Sequence, residues 1–172
     1  KTMNNLKIRA SALSKIMTEP KLKSDKEAGN LGETAKSYIE ELYLFNEYGY
    51  KEVVMTDEML KGLLNEQESM EMIDAYFKDG LFREKNTKNF ENDYFTGTPD
   101  IILTDCIEDI KNSFTLKTFF NAELSPNYYA QAQCYMNLTG IKKYRLIYTL
   151  QNNSDRHVLN QKMQFYYKFD CD

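Results

Sequence analysis

The stretch GTPDIILTDCIEDIKNS, residues 97–113, contains the pattern that decides the fold of this chain. Two runs rich in β-branched residues predict β-strands over residues 95–104 and 107–111. A short polar turn at Asp105 joins them, which is the spacing of a hairpin. The sequence therefore predicts a small sheet built around these two strands.

Helices are predicted on the amino-terminal side of the hairpin. Apolar residues recur at helical spacing over about residues 33–45, in a helix that stops near Gly49. A second helix is predicted over residues 57–77, with Thr56 as its N-cap and Gly80 just past its end. The chain before the hairpin is thus expected to be mainly helical.

The chain after the hairpin adds a helix and further strands. Ser125 and Pro126 combine a cap with a first-position proline, and Gly140 supplies the matching helix stop. Strands are predicted over residues 142–150 and 163–169. This order of elements predicts a mixed α/β fold, in which a small sheet is flanked by helices.

Length and composition indicate one soluble domain over residues 1–172. Its residues are 42% apolar and 28% charged, which is ordinary for a globular protein. Cys106, Cys134 and Cys171 form no CxxC pair, which favours a reducing, cytoplasmic location. No apolar run approaches the roughly 18 residues of a membrane helix, so no membrane partner is expected.

Charge is distributed unevenly. The net charge is −4, yet residues 1–29 hold seven basic side chains against three acidic ones, while the rest of the chain holds 15 against 23. A basic amino-terminal segment on an acidic body can bind nucleic acid, because cationic side chains neutralise phosphates. A solvated, lysine-rich terminus explains the charge equally well.

Residues of the hairpin form the first candidate site. Asp109 and Lys111 are two apart, so the predicted strand projects both from one face while Ile110 points into the opposite layer. Asp100 follows Pro99, which cannot donate to a sheet ladder and indicates an edge or a bend. Asp100 is therefore expected to be displayed near a strand start.

Two helices contribute further candidates. Glu66 falls within the apolar arc of the helix predicted over residues 57–77, where a lone carboxylate is costly without a partner, a cation or water. Gln131 and Tyr135 are four apart on the capped helix and so share a face. Gln131 can hydrogen-bond a water or the site carboxylates there, and Tyr135 is a candidate DNA contact.

Together these residues favour metal-dependent phosphodiester hydrolysis. Two or three carboxylates at one point repel each other unless a hard divalent cation neutralises them, and oxygen ligands suit Mg²⁺ or Mn²⁺. Lys111 would hold or help deprotonate the attacking water. Other chemistries have little support, because His157 is the only histidine and no nucleotide-binding glycine motif occurs.

Each signal alone has a common structural explanation. A lone [DE]xK tripeptide is usually a solvated strand face, Glu66 alone could form an ordinary salt bridge, and Gln131 alone is more often a surface residue. Tyrosines such as those of the capped helix are more often core than a base-stacking platform. The order of the signals along the chain is what favours a catalytic site.

That order resembles the PD-(D/E)XK nuclease superfamily, and most closely the phage exonucleases of the YqaJ-type viral recombinase group, which includes lambda exonuclease. The resemblance covers most of residues 8–150 and implies a restriction-endonuclease-like αβββαβ core. It rests on five stretches: IRASALSKIMTEP (8–20), KGLLNEQESM (61–70), GTPDII (97–102), IEDIKNS (107–113) and YYAQAQCYMNLTG (128–140).

The resemblance implies a role for each carboxylate and for the lysine. Asp100 looks like the central metal ligand and Asp109 like the second. Glu66 looks like the glutamate of the first helix, which also serves the metal. Lys111 looks like the catalytic lysine.

The resemblance extends to two other groups of residues. Gln131 looks like the glutamine of the motif-bearing helix, with Gln133 as a rival because related motifs place glutamines two apart. Arg9, Ser11 and Lys15 resemble the amino-terminal segment that such exonucleases use to hold DNA phosphate.

The function implied is a Mg²⁺-dependent DNA exonuclease, with Mn²⁺ as the alternative cation, that hydrolyses phosphodiester bonds at duplex ends in phage-type recombination. A single-strand annealing protein and further copies of the chain are implied as partners. Two alternatives stay open: a structure-selective endonuclease or resolvase on the same fold, and a non-catalytic module that holds DNA or a protein.

Overall fold

The computed structural model describes residues 6–53 and 55–152 of the 172-residue chain. In chain order their elements are β1 (Ile8–Arg9), a 3-10 helix (Ala10–Ala12), α1 (Leu13–Ile16), α2 (Lys23–Glu27), α3 (Glu33–Tyr48), α4 (Asp57–Leu64), α5 (Glu66–Phe77), β2 (Phe90–Glu91), β3 (Phe95–Gly97), β4 (Ile101–Ile102), β5 (Cys106–Asn112), α6 (Leu116–Phe120), α7 (Pro126–Thr139) and β6 (Lys143–Thr149). This mixture of small sheets and helices confirms the predicted fold class. The strand predicted over residues 163–169 lies outside the described residues. Within the described ranges, no helix has the length and hydrophobicity needed to cross a membrane.

The chain forms two compact units. Of the described residues, the first unit contains 6–53, 85–109 and 123–146, and the second contains 55–84, 110–122 and 147–152. The chain therefore leaves and re-enters each unit more than once. A single nuclease domain over residues 1–172 stays a prediction.

Three short strands form the first sheet, in the order β1-β3-β2. β1 runs parallel to β3 and pairs Ile8 with Phe95, whereas β2 runs antiparallel to β3 and pairs Phe90 with Gly97. Helix α7 packs against β3, the 3-10 helix and α1. The buried core of this unit is formed by Ala10, Ile107, Cys134 and Tyr135.

Helix α7 begins and ends where the sequence predicts. The Ser125 hydroxyl accepts a hydrogen bond from the Tyr128 N–H at 3.2 Å, and Pro126 occupies the first helical position. Gly140 ends the helix with a left-handed φ of 78°. Gly49 ends α3 in the same way, with a φ of 64°, so both glycine stops are confirmed.

Gly97 allows α7 to lie close to the first sheet. A Cβ atom at this position would lie 2.6 Å from Cε1 of Tyr135 and 2.9 Å from Cβ of Ala10. Both distances are shorter than van der Waals contact, so a side chain here would displace a buried neighbour. Gly97 therefore marks a close approach of two elements within a strand.

In the second unit, the helix predicted over residues 57–77 is interrupted, so that prediction is wrong in part. Thr56 caps α4 as predicted, since its hydroxyl accepts the Met59 N–H at 3.3 Å. At Asn65 the backbone leaves the helical region, with φ −104° and ψ 12°, and α5 begins at Glu66. Residues before and after this break therefore no longer share the regular helical spacing from which one continuous apolar face was predicted.

Exposure of the apolar residues reflects this break. In α5, Met70 and Ile73 are 5% and 3% exposed, whereas in α4 Leu60 and Leu63 are 38% and 59% exposed. The four residues therefore do not form one buried face. Helix α5 ends at Phe77, as predicted, with Lys78 in the left-handed region at φ 49°.

The second sheet has the order β4-β5-β6. β4 runs antiparallel to β5 and pairs Ile101 with Glu108. The single strand predicted over residues 95–104 is wrong, because β3 and β4 are separate strands on either side of Pro99. Pro99 lacks the N–H that a ladder requires, so the bend predicted at this proline is confirmed.

Candidate active site

Asp100 and Asp109 are the two predicted carboxylates of the first unit. Asp109 lies in β5 with a side chain that is 0% exposed. Burial raises the pKa of Tyr135 to about 12, and the negative charges of Asp109 and Asp100 add to this shift. Burial also raises the pKa of Tyr144, with the charge of Asp109 as the next cause and Asp100 as a weaker one. The ladder of β4 and β5 pairs Ile101 with Glu108, so Asp100 and Asp109 occupy the neighbouring positions of the two segments. Their role as metal ligands stays a prediction.

Gln131 joins this group through Tyr135. Its Nε2 donates a hydrogen bond to the Tyr135 hydroxyl at 3.2 Å, and that hydroxyl donates to the carbonyl oxygen of Thr98 at 3.2 Å. Gln131 is 8% exposed, whereas Gln133 is exposed. Of the two glutamines considered, Gln131 is thus the one in the buried network, because it shares the i, i+4 face of α7 with Tyr135.

Tyr135 itself is a supporting residue in this structure. Its side chain is 5% exposed and packs against Gly97, while its hydroxyl holds the turn that leads to Asp100. Because its pKa is raised to about 12, the phenol stays protonated near neutral pH and can donate that hydrogen bond. The expectation that Tyr135 contacts DNA stays a prediction.

Tyr144 is a member of the site that the sequence did not single out. It lies in β6, the strand beside β5, and its buried hydroxyl is close enough to Asp109 for the carboxylate to raise its pKa. In the sequence, the one feature that pointed to Tyr144 was its place in the strand predicted after the helix that carries Gln131. Such a signal cannot be separated from ordinary core packing until the order of the strands is known.

Lys111 follows Asp109 by two residues in β5, so the alternation of the strand gives both side chains the same face. It is partly buried and belongs to the second unit. The next residue, Asn112, donates from Nδ2 to the Ser69 hydroxyl at 3.2 Å, and this hydroxyl is 3.1 Å from Oγ1 of Thr149. These bonds tie β5 to α5 and β6 beside Lys111.

Glu66 is the first residue of α5 and is partly exposed. The sequence placed it on the buried face of a continuous helix, and the break at Asn65 overturns that reason. At a helix amino terminus, a carboxylate is stabilised by the exposed N–H groups and the helix dipole. Glu66 lies in the second unit, three residues before the fully buried Ser69. Its role as a metal ligand stays a prediction.

The amino-terminal candidates gather around Tyr38, which is 0% exposed. Arg9 Cζ lies 5.9 Å and Lys15 Nζ 5.3 Å from the centre of its ring. The Glu41 carboxylate lies 4.0 Å from Arg9 Nη2 and 3.6 Å from Lys15 Nζ. Both cationic side chains remain about half exposed, at 50% and 44%, and Ser11 is exposed on the 3-10 helix. The structure therefore brings Arg9 and Lys15 to one surface.

The donor set of the acidic group fits a hard divalent cation. Asp100 and Asp109 offer only oxygen atoms, which Mg²⁺ and Mn²⁺ prefer over nitrogen and sulfur donors. Within the part of the chain that the structure describes, no group of three or more His, Cys, Asp or Glu side chains is arranged to hold a metal ion. Asp100 and Asp109 as metal ligands stay a prediction.

Solved structures resemble this chain over most of its length. A phage-related exonuclease from Haemophilus somnus 129PT is 31% identical, with a TM-score of 0.73 over 87% of this chain and 70% of that one. The alkaline exonuclease LHK-Exo from Laribacter hongkongensis is 17% identical, with a TM-score of 0.68 over 94% and 84% of the two chains. LHK-Exo in complex with dAMP is 19% identical, with a TM-score of 0.67 over 89% and 72%. No family model and no curated protein matches the chain.

A mixed sheet that carries Asp100 and an Asp-x-Lys strand, followed by a Gln-x-x-x-Tyr helix, is the arrangement of a PD-(D/E)XK nuclease. With 31% identity over more than two thirds of the Haemophilus somnus protein, this chain belongs to the family of phage-type exonucleases, in its YqaJ and lambda-exonuclease-like branch. The resemblance seen in the sequence is confirmed, and the chain is a nuclease.

Proposed function

We propose that this nuclease is a Mg²⁺-dependent deoxyribonuclease that removes nucleotides from the ends of double-stranded DNA, with Mn²⁺ as an alternative cation. The observation that carries the proposal is the acidic pair Asp100 and Asp109, which the register of β4 with β5 places at neighbouring positions in a chain of this family. The complex of LHK-Exo with dAMP, a deoxynucleotide, favours DNA over RNA as the substrate.

The acidic pair supports metal dependence for an electrostatic reason. Removing a carboxylate from water costs several kcal/mol unless compensating groups surround it, and two neighbouring carboxylates also repel each other. Asp109 is fully buried, and the register of β4 with β5 places Asp100 beside it. A module that only held DNA would gain nothing from this arrangement, whereas a cation site needs it.

Asp100 and Asp109 would hold the cation, with Glu66 proposed as a further ligand. The chemistry that a bound divalent cation supplies is polarisation of the phosphate and a lower pKa of the attacking water. Lys111 shares a face of β5 with Asp109, so its ammonium is directed to the same side as the carboxylate. There it orients the attacking water and offsets the negative charge that develops on the phosphate.

Gln131 and Tyr135 keep the acidic pair in place. The glutamine amide donates to the phenol, and the phenol donates to the Thr98 carbonyl two residues before Asp100. A site held by packed side chains and hydrogen bonds retains its geometry during turnover. Both residues therefore contribute to positioning in this proposal.

Arg9, Ser11 and Lys15 are proposed to bind the phosphate of the DNA end. A guanidinium and an ammonium that both approach Tyr38 and Glu41 form a localised positive surface with exposed donors. A phosphate can replace the weak contacts to Glu41, because charge-assisted hydrogen bonds to phosphate are stronger than long ion pairs. Binding through these residues should weaken as salt concentration rises.

Action in phage-type recombination in the host cytoplasm, beside a single-strand annealing protein and as a homo-oligomer, belongs to the same proposal. It is supported by membership in the phage-type exonuclease family. The biochemical part is independent of it, since cleavage can be measured with the purified chain alone.

The test is digestion of a 5′-phosphorylated linear duplex and of a matched closed circle, each with Mg²⁺ or with EDTA. Wild type and Lys111→Ala are compared, and Lys143→Ala serves as the control because Lys143 is an exposed lysine paired with Asp105. We expect loss of the linear DNA alone, only with Mg²⁺, in wild type and control but not in Lys111→Ala.

Cutting of the closed circle would replace the proposal with an endonuclease or resolvase on the same fold. Cleavage in the presence of EDTA would refute the proposed metal dependence. Binding of the duplex without any cutting, by a folded protein in Mg²⁺, would favour a module that holds DNA.

A further inference from the structure

We infer that Asn86 is a positioning residue that fixes Asp100 in the acidic site, an inference that rests on the proposed function. Asn86 lies between α5 and β2, outside every motif that the sequence analysis identified. It belongs to the first unit, as does Asp100, and it is partly buried. Both its backbone and its side chain contact the turn that carries Asp100.

Three consecutive carbonyl groups of this turn accept hydrogen bonds. The Thr98 carbonyl accepts from the Tyr135 hydroxyl at 3.2 Å. The Pro99 carbonyl accepts from Nδ2 of Asn86 at 2.9 Å, and the Asp100 carbonyl accepts from the backbone N–H of Asn86 at 2.7 Å. Two of the three donors therefore come from Asn86.

The amide of Asn86 suits this position, and a carboxylate would not. Its Nδ2 donates to the carbonyl oxygens of Pro99 and Lys88, the latter at 3.0 Å, while its Oδ1 accepts the Lys88 N–H at 3.0 Å. Two acceptors on one side and a donor on the other fix which way the amide points. The side chain thus joins a local turn at Lys88 to the turn that carries Asp100.

Side-chain support matters here because the sheet ladder is interrupted. β3 ends at Gly97, β4 begins at Ile101, and Pro99 between them has no N–H to donate. A backbone without ladder bonds keeps more conformational freedom, and any movement of it carries the Asp100 carboxylate along. The hydrogen bonds from Asn86 replace the missing ladder bonds at Pro99 and Asp100.

The expected effect is on cation affinity. Groups that hold metal ligands in place typically contribute about 10- to 100-fold to affinity or activity. Loss of the bond to Pro99 should therefore weaken binding of the cation by roughly tenfold or more. Turnover at a saturating cation concentration should change less, because Asn86 contacts no reacting group.

The variant for the test is Asn86→Ser. A serine hydroxyl can accept the Lys88 N–H, as asparagine does in such turns, but it is too short to reach the Pro99 carbonyl. The matched control is Asn89→Ala in the same loop. That change removes hydrogen bonds to the hydroxyls of Thr96 and Thr98, at 3.0 and 3.2 Å, and none to the three carbonyls.

Two measurements are made on purified protein without DNA. The first is titration with Mn²⁺ alone by calorimetry, on wild type, Asn86→Ser and Asn89→Ala. The second is hydrogen exchange of the residue-86 amide in the metal-free protein, which reports whether the bond to the Asp100 carbonyl holds the turn. Thermal unfolding verifies that each variant is folded.

We expect a dissociation constant for Mn²⁺ that is at least about tenfold higher in Asn86→Ser and within about twofold of wild type in Asn89→Ala. We also expect slow exchange of the residue-86 amide in wild type and faster exchange in Asn86→Ser. Equal Mn²⁺ affinity in wild type and Asn86→Ser would overturn the inference. An unprotected amide in wild type would do so as well, and this result is available even if Asn86→Ser does not fold.

Failure of the proposed function would look different. Wild type that binds no Mn²⁺, together with a protected residue-86 amide, would remove metal dependence from the proposal and with it the role of Asn86 toward the ligand. Wild type that binds Mn²⁺ with unchanged affinity in Asn86→Ser would leave metal dependence intact and remove Asn86 alone.

Discussion

The two units bury charged side chains in different ways. In the second unit, Lys61 and Arg83 are 4% and 5% exposed, and both donate hydrogen bonds to acceptor groups of other segments. Lys61 Nζ donates to the carbonyl oxygens of Ser113 and Phe114 at 2.8 and 3.1 Å, and Arg83 forms ion pairs of 2.6 and 2.9 Å with two aspartates. These cations join segments of chain within their unit, which is a structural role.

In the first unit, two adjacent carboxylates of β5 are both 0% exposed. Glu108 pairs with Arg145 at 2.6 Å, as a structural carboxylate does. Asp109 lies on the opposite face of the strand, and the register of β4 with β5 places it beside Asp100. Neighbouring carboxylates are unfavourable for stability and useful for cation binding. In the proposed function, the comparison therefore separates charges that hold the fold from charges that would serve the reaction.

The largest effect is expected from removing the charges that serve the reaction. Asp109→Asn or Lys111→Ala should lower the rate of cleavage of a linear duplex by at least about 100-fold, because each removes a group that acts on the charge of the transition state. The melting temperature of each variant is measured beside the rate, so that a loss of cleavage is separated from a loss of the fold. Cleavage at the wild-type rate in either variant would refute the site assignment.

The next effect concerns the charges that hold the fold. Arg83→Met should lower the free energy of unfolding by about 2–4 kcal/mol, somewhat less than for a fully buried pair, because the partner carboxylates of Asp74 and Asp79 are 26% and 31% exposed. Unfolding by denaturant measures this loss of free energy. Lys143→Ala breaks an exposed pair with Asp105 that solvent screens, so its effect on the free energy of unfolding should be clearly smaller. Similar losses in the two variants would contradict the structural role of Arg83.

A smaller effect is expected from packing at the acidic site. Gly97→Ala should destabilise the protein by about 1–3 kcal/mol, because the new methyl group would overlap the buried ring of Tyr135. It should also slow cleavage by moving the turn before Asp100. Gly62→Ala is the control, since an added Cβ there meets no atom within 4 Å and alanine favours a helix by up to about 1 kcal/mol. Thermal unfolding of both variants shows whether each change raises or lowers stability. A stabilised Gly97→Ala would be inconsistent with the close approach of α7.

The smallest effect is the pH dependence contributed by Lys61. Burial lowers the pKa of Lys61 below its usual 10.5, so the folded state binds this proton less tightly than the unfolded state. Its contribution to the free energy of unfolding should therefore rise as pH increases from the lowered pKa to 10.5. Wild type is compared with Lys61→Met over this range, because other groups titrate alike in both. A difference that stays constant or shrinks with rising pH would show that the pKa of Lys61 is not lowered.

Local signals in the sequence predicted much of the fold. The Ser125 cap, the Thr56 cap and the glycine stops at Gly49 and Gly140 were all correct. Each depends on hydrogen bonds or dihedral angles within a few residues, so the sequence contains the whole cause. The bend at Pro99 was correct for the same reason.

Features that depend on distant contacts were predicted less well. The helix over residues 57–77 is broken at Asn65, although its apolar spacing favours one helix. Helical periodicity reports a preference of the isolated segment, and tertiary contacts can override it at a modest cost. Tyr144 and Asn86 were missed because their roles come from strand order and from hydrogen bonds across the fold.

By itself, the sequence determined the class of this protein. The spacing of Asp100, Asp109 and Lys111 around a proline bend and a strand, with Gln131 and Tyr135 four apart, is a local pattern that fixes which side chains share a face. The tertiary structure alone decided which residues support them. Three features depend on this long-range packing: the full burial of Asp109, the burial of Gln131 rather than Gln133, and the hydrogen bond from Asn86 to the turn before Asp100. Packing brings together groups whose spacing along the chain does not relate them.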